Sequence, residues 1–158
     1  RATRAGADPV PAHRQPQFGA EIAAIVDERE ELAIADRPRR ELERRVADGE
    51  IAPGFVVCGI GSIADAVIRF ANDDTETLVA GPHEILTLSG SVTKDGAHLH
   101  ASLSNGAGQV IGGHVGHGNL IRTTAEILLL HTPGWTLRRE MDHATGFKEL
   151  VVAPHGPR

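Results

Sequence analysis

Tyrosine is absent from this chain of 158 residues, and tryptophan, methionine and cysteine each occur once. Four phenylalanines complete the aromatic content. The core must therefore be built from valine, isoleucine, leucine and alanine, and few rings remain on which single-stranded nucleic acid could stack. A single cysteine excludes a disulfide framework within the chain. Cys58 lies inside the apolar run Phe55-Val56-Val57-Cys58 and is expected to be a buried, inert thiol. An excess of positive charge is also missing. The formal net charge is −5 with neutral histidine, which argues against a general basic footprint for DNA or RNA. The local exception, Arg37, Arg39, Arg40, Arg44 and Arg45, reads as the solvated face of a helix. No apolar run approaches the roughly 20 residues that a membrane span requires. The opening Arg1-Ala2-Thr3-Arg4 lacks the apolar core of a secretory signal. Cytoplasmic residence is the expectation.

What is present is enough for one packed domain, with 41% hydrophobic residues. Residues 1–17 carry Pro9, Pro11 and Pro16 and few large apolar side chains, and are expected to form a flexible or extended arm ahead of a single domain over 18–158. Between Ala20 and Ile34 neither the helical nor the strand period is clean, and both remain open. From Asp36 to Gly49 a short helix is predicted: Asp36 can cap it, Pro38 suits its first turn, Gly49 can end it, and Leu42 and Val46 form an i,i+4 stripe. Beyond Pro53 the pattern is that of strands. Phe55–Ile60 reads as a strand covered on both faces. Ile63–Phe70, Thr77–Ala80, Glu84–Ser91, Ala97–Leu103, Gln109–Ile111, Thr124–His131 and Phe147–Val152 follow, with Lys94-Asp95-Gly96 turning one hairpin. One helix and about eight short strands imply an α+β fold with a mostly antiparallel twisted sheet.

Nine histidines occur, and three of them stand in a suggestive pattern. In a strand, His98 and His100 point to the same face while Leu99 points to the other. Reversal through Asn105–Gly108 returns the chain as a neighbouring strand that ends on His114, and Gly112-Gly113 permits close backbone approach just before it. Two histidines on one strand and a third on the next can converge on one divalent cation. Zinc comes first among the candidates, with iron, nickel and copper also suited to imidazole. Three protein ligands would leave a further position for water or substrate. Ordinary polar strand positions would produce the same pattern. His117 is three residues further on, a spacing that turns it away, and it ranks below the other three. Two carboxylates are candidates to move a proton. Glu126 sits within the apolar stretch Thr124–Leu128, where a buried acid needs a partner, unless it occupies the solvent face of an edge strand. Glu84 is a weaker candidate, equally readable as a strand-start residue.

The ordered series Gly59-Ile60-Gly61-Ser62, Glu84 to Gly90, His98 to Leu103, Gly112-Gly113-His114, Thr124-Ala125-Glu126 and Thr145-Gly146 resembles the plant and prokaryote conserved (PPC, DUF296) domain family over roughly residues 30 to 152. The resemblance implies a compact α+β domain assembled as a homotrimer. The plant members are DNA-binding proteins that carry an AT-hook; here Asp36-Arg37-Pro38-Arg39 lacks the Gly-Arg-Pro core of that motif. The plant forms also lack the three histidines, so this chain is similar to the prokaryotic branch able to hold a metal. The fold is further similar to that of acetolactate decarboxylase, a zinc lyase with three histidine ligands, a likeness of fold and ligand type alone. Three functions follow as expectations: a divalent-metal site that serves a small-molecule ligand as a lyase or hydrolase would, a DNA-binding module, or a structural trimer.

Overall fold

The computed structural model describes residues 19–25 and 37–155, so the arm expected over 1–17 lies outside the described residues. Strand β1 (Gly19–Ile25) makes the first part of the ambiguous early segment β-structure, and 26–34 lie outside the described residues. Helix α1 (Arg37–Ala47) follows, then β2 (Gly54–Ile63), β3 (Ala66–Arg69), β4 (Thr77–Val79), β5 (His83–Thr93), β6 (Gly96–Asn105), β7 (Val110–Val115), β8 (Ile121–His131), β9 (Trp135–Met141) and β10 (Lys148–Pro154). Eight strands form one sheet in the order β1-β8-β2-β5-β6-β7-β3-β4, and β9 with β10 makes a separate ribbon. Every neighbouring pair is antiparallel. No described helix is long and apolar enough to cross a membrane.

The core is aliphatic, as the shortage of aromatics requires. Leu99 and Leu103 from β6, Ile127 and Leu129 from β8, Val92 from β5 and Ile68 from β3 are all at most 1% exposed. Helix α1 closes this layer from one side with Leu42 and Val46, both wholly buried, each contributing roughly 1.5–3 kcal/mol by leaving water. Gly49, at φ +76°, ends the helix in the left-handed conformation. The opposite face of α1 is solvated and paired: Arg44 reaches Glu41, Asp48 and Glu50, and Arg45 reaches Glu41. Surface pairs of this kind add little to stability. More telling are two ties from the helix to the sheet. Glu43 Oε1 accepts the backbone N–H of Ala97 at 2.9 Å, and Arg39 donates to the carbonyl of Val115 at 2.9 Å. They anchor the residues immediately before His98 and immediately after His114.

Four sequence readings change. The strand expected over Ile63–Phe70 is two elements, because the chain leaves β2 at Ile63 and re-enters as β3 at Ala66. The ribbon strand β9 had no counterpart among the predicted strands. Cys58 is exposed, not buried. The register of β2 against β8 shifts between Val56 and Cys58, and this bulge turns Val57 and Cys58 outward together. Val57, Ile60 on the same strand and Leu86 on neighbouring β5 are 51%, 55% and 47% exposed. The run expected to be covered on both faces is therefore uncovered on one within a single chain.

Candidate metal centre

Strand alternation does what the spacing required. On β6, Ala97, Leu99 and Ala101 are buried, whereas His98 and His100 face outward together. Strand β7 pairs beside β6 with His114 directly opposite His100. On its other side His114 neighbours β3, where it opposes Arg69. The close packing of β6, β7 and β3 depends on glycine. A Cβ on Gly113 would meet the carbonyl oxygen of Arg69 at 2.6 Å, and one on Gly112 would meet that of Ala101 at 2.6 Å. The other flank of β6 uses Gly90, at φ +144°, where a Cβ would meet the carbonyl oxygen of His98 at 2.0 Å.

The three rings converge. His98 Nε2 and His100 Nε2 are 3.1 Å apart, and His100 Nε2 and His114 Nδ1 are 3.0 Å apart. One nitrogen from each ring lies within 4.8 Å of the others. Two nitrogens bound tetrahedrally to zinc at about 2.0–2.1 Å stand roughly 3.3 Å from each other, so this donor set fits one cation with small ring movements. The electrostatics favour the ligating form. Solvent reaches the ring edges, yet the walls of the cleft remove part of their hydration. That burial, then the Arg139 guanidinium and the His100 ring, hold the His98 imidazole below its ordinary range. Burial, then the Arg69 guanidinium and the two other histidines, push His114 down to about 4. Both rings are neutral at neutral pH, as metal ligation demands.

The cluster borders an open cleft of about 790 Å³ to which His98, His114, Arg39, Arg69, Arg139 and Glu149 contribute. This lies within the size range of small-molecule sites. A second depression, about 310 Å³, shares His98, Arg139 and Glu149 and adds His100 and Ser91. Arg139 is held in place from several sides. Its Nη2 donates to Ser91 Oγ at 2.6 Å, its Nη1 to the carbonyl of Lys148 at 3.3 Å, and its backbone N–H to Asp95 at 2.9 Å. Its Nη1 also stands 3.4 Å from His98 Nδ1.

The predicted acids are placed elsewhere. Glu84, at the start of β5, and Glu126, on β8 opposite Ile60, are exposed, and neither lines the cleft or the adjoining depression. Both occupy outward positions of their strands, between buried neighbours. His117 is exposed, and its backbone N–H donates to Glu76 at 3.3 Å; it is outside the three-histidine group. Sequence reasoning missed Arg69, Arg139 and Glu149. The first is the last residue of a four-residue strand. Arg139 lies on β9, the strand without a predicted counterpart, whereas Glu149 lies on β10, within the strand expected over Phe147–Val152.

An antiparallel α+β domain with three histidines gathered on one sheet face defines a class, and the comparisons agree with it. The sequence profile of the Plants and Prokaryotes Conserved domain matches residues 31–133, and the chain belongs to that family. It is 41% identical over 116 residues to the bifunctional protein GlmU of Synechococcus sp., a match that takes in 73% of this chain and 18% of that protein. The chain thus corresponds to about a fifth of the length of this curated relative. Among solved structures it is similar to a hypothetical protein from Salmonella enterica, with a TM-score of 0.75 at 24% identity over 90% of this chain and 99% of that one. It is also similar to a metal-containing protein from Archaeoglobus fulgidus, with a TM-score of 0.67 at 23% identity over 87% and 96% of the two chains. These likenesses establish the fold.

Proposed function

We propose that this PPC domain holds one divalent cation, zinc in the first place, through His98, His100 and His114, and uses it to bind a small molecule in the adjoining cleft. The observation that carries this reading is the convergence of three ligating nitrogens within 4.8 Å on one face of the sheet. Supporting it are the lowered proton affinities of His98 and His114 and the metal-containing relative of the same fold. A cation bound there would supply Lewis acidity toward a lyase or hydrolase substrate. The chain's own residues would orient that molecule: Arg139 is fixed by Ser91 at the cleft wall, and Glu149, held by Thr145 at 3.2 Å, is the carboxylate shared by both depressions. Elemental analysis of purified protein reconstituted with zinc and desalted tests the reading. One ion per chain is expected in the wild type and none in His98→Ala/His100→Ala; a wild type that retains no metal overturns it.

A homotrimer is part of this proposal, supported by the uncovered apolar side chains Val57, Ile60 and Leu86 on β2 and β5.

A further inference from the structure

Two arginines flank the histidine cluster, and neither is in ion-pair contact with a carboxylate among the described residues. Arg139 reaches it from β9, beside His98. Arg69 reaches it from β3, as the cross-strand partner of His114. The other arginines with described contacts to carboxylates are paired: Arg39 with Glu43, Arg44 and Arg45 with Glu41, and Arg138 with Glu140. Among the described residues, Arg69 and Arg139 have no carboxylate at ion-pair distance, and the acceptors their guanidinium groups do have are neutral. Arg69 Nη1 donates to the carbonyl of Asp73 at 3.0 Å. Arg139 donates to Ser91 and to the carbonyl of Lys148, and its Nε is buried with no partner at all.

Acids share the cleft, and Glu149 and Asp95 favour the charge of Arg139 from beyond ion-pair distance, but none of their described hydrogen bonds is to a guanidinium. Asp73 accepts from the backbone and hydroxyl of Thr75, Glu76 from the backbone N–H of His117, Asp95 from the backbone N–H of Arg139, and Glu149 from the hydroxyl of Thr145. A half-buried guanidinium without an anionic partner in contact leaves costly unmet donors. Two of them stand beside a site suited to a cation, with donors free of any contacting carboxylate.

The imidazole tautomers sharpen the point. When His98 Nε2 gives its lone pair to a cation, the proton of the neutral ring sits on Nδ1. That N–H cannot accept the Nη1–H of Arg139, which stands only 3.4 Å away. Loading the three histidines therefore frees an Arg139 donor toward the cleft. We infer that the cleft recognises a small molecule by an oxyanion group, carboxylate or phosphoryl, with Arg69 and Arg139 as the residues that determine this specificity. Arginine suits both groups, because its fork of donors matches their paired oxygens.

This inference rests on the proposed metal site for the position of the ligand, but the two arginines can be tested apart from it. Cobalt-reconstituted protein would be titrated with acetate and, separately, with inorganic phosphate while its visible spectrum is followed. Saturable spectral change is expected in the wild type, with the dissociation constant raised about tenfold or more in Arg69→Gln and in Arg139→Gln. Cobalt stoichiometry should stay at one per chain in both variants. Arg139→Lys, which keeps the charge and loses the fork, should fall between wild type and Arg139→Gln and guards against simple misfolding. The anion that binds more tightly identifies the group. Unchanged affinity in properly folded variants overturns the inference while leaving the metal site intact. Should the protein take up no cobalt, the metal reading fails separately, and calorimetry of the metal-free chain with the same two anions decides. Binding that Arg69→Gln and Arg139→Gln abolish supports the arginine pair, and no binding in the wild type overturns it.

Discussion

His100 and His114 face each other across adjacent antiparallel strands, with His100 Nε2 3.0 Å from His114 Nδ1. Since His98 Nε2 lies 3.1 Å from the same His100 nitrogen, His100 is the shared neighbour of the cluster. His100→Ala is accordingly expected to weaken zinc binding by on the order of 100-fold or more, beyond the loss seen when only a partner of a metal ligand is removed. The residue is exposed, so the circular dichroism of the metal-free variant should match that of the wild type. Competition against a chromophoric chelator measures the affinity.

The lowered proton affinities have a definite sign. His114 in the folded chain sits at about 4, against about 6.5 when unfolded, so the folded state disfavours its protonation. The resulting stability is fully present above pH about 6.5 and is lost as pH falls toward about 4. His98, shifted in the same direction, adds to this loss. Urea denaturation of metal-free protein at steps through that window should show a decline that is smaller in His114→Gln. Glu41, lowered to about 2 by Arg44 and then Arg45, loses its own contribution only at more acid pH, below about 4.5, so the two effects separate.

Gly113 sets the spacing between the strand of His114 and the strand of Arg69. Gly113→Ala would press a Cβ against the Arg69 carbonyl at 2.6 Å and Ile68 Cγ2 at 2.8 Å. A loss of about 1–3 kcal/mol is expected from such overpacking, with weaker zinc binding at temperatures where the fold persists. Gly106, where a Cβ would meet nothing within 4 Å, gives the control: Gly106→Ala should leave metal affinity unchanged.

Glu84 and Glu126 are exposed and do not line the cleft of the histidines. Glu84→Gln and Glu126→Gln should therefore retain wild-type zinc affinity in the same chelator competition.

The proposed trimer places apolar strand faces between chains. Light scattering should give a mass near three times 16.8 kDa, and Ile60→Asp, introduced where the side chain is 55% exposed in one chain, should lower it. A wild type that runs as a single chain would count against the assembly.

Much of the site was legible because it depends on local rules. His98, His100 and Leu99 obey strand alternation, and Lys94-Asp95-Gly96 with the turn after Asn105 dictates which strands pair, so His114 lands beside His100 without any knowledge of the rest of the fold. Gly112 and Gly113 likewise announced a close approach that the structure contains. What stayed hidden depends on distant packing. Arg139 reaches His98 only because the β9–β10 ribbon folds over the end of β5, and a ribbon rich in charged residues, such as Leu137-Arg138-Arg139-Glu140, carries too little apolar periodicity to stand out as a strand. Cys58 went the other way: its apolar neighbours suggested burial, while a single bulge after Val56 turns it to the surface. For Glu126 the apolar neighbours left burial and a solvent-facing position both open; those neighbours occupy the inner face of β8 and leave its own position pointing out.

The most direct measurement is X-ray absorption at the zinc edge of reconstituted protein. The account requires a shell of nitrogen scatterers at about 2.0–2.1 Å with the outer-shell pattern of imidazole, three per zinc, completed by a light atom. A sulfur shell at about 2.3 Å, which would implicate Cys58, or an oxygen shell without imidazole, would contradict it.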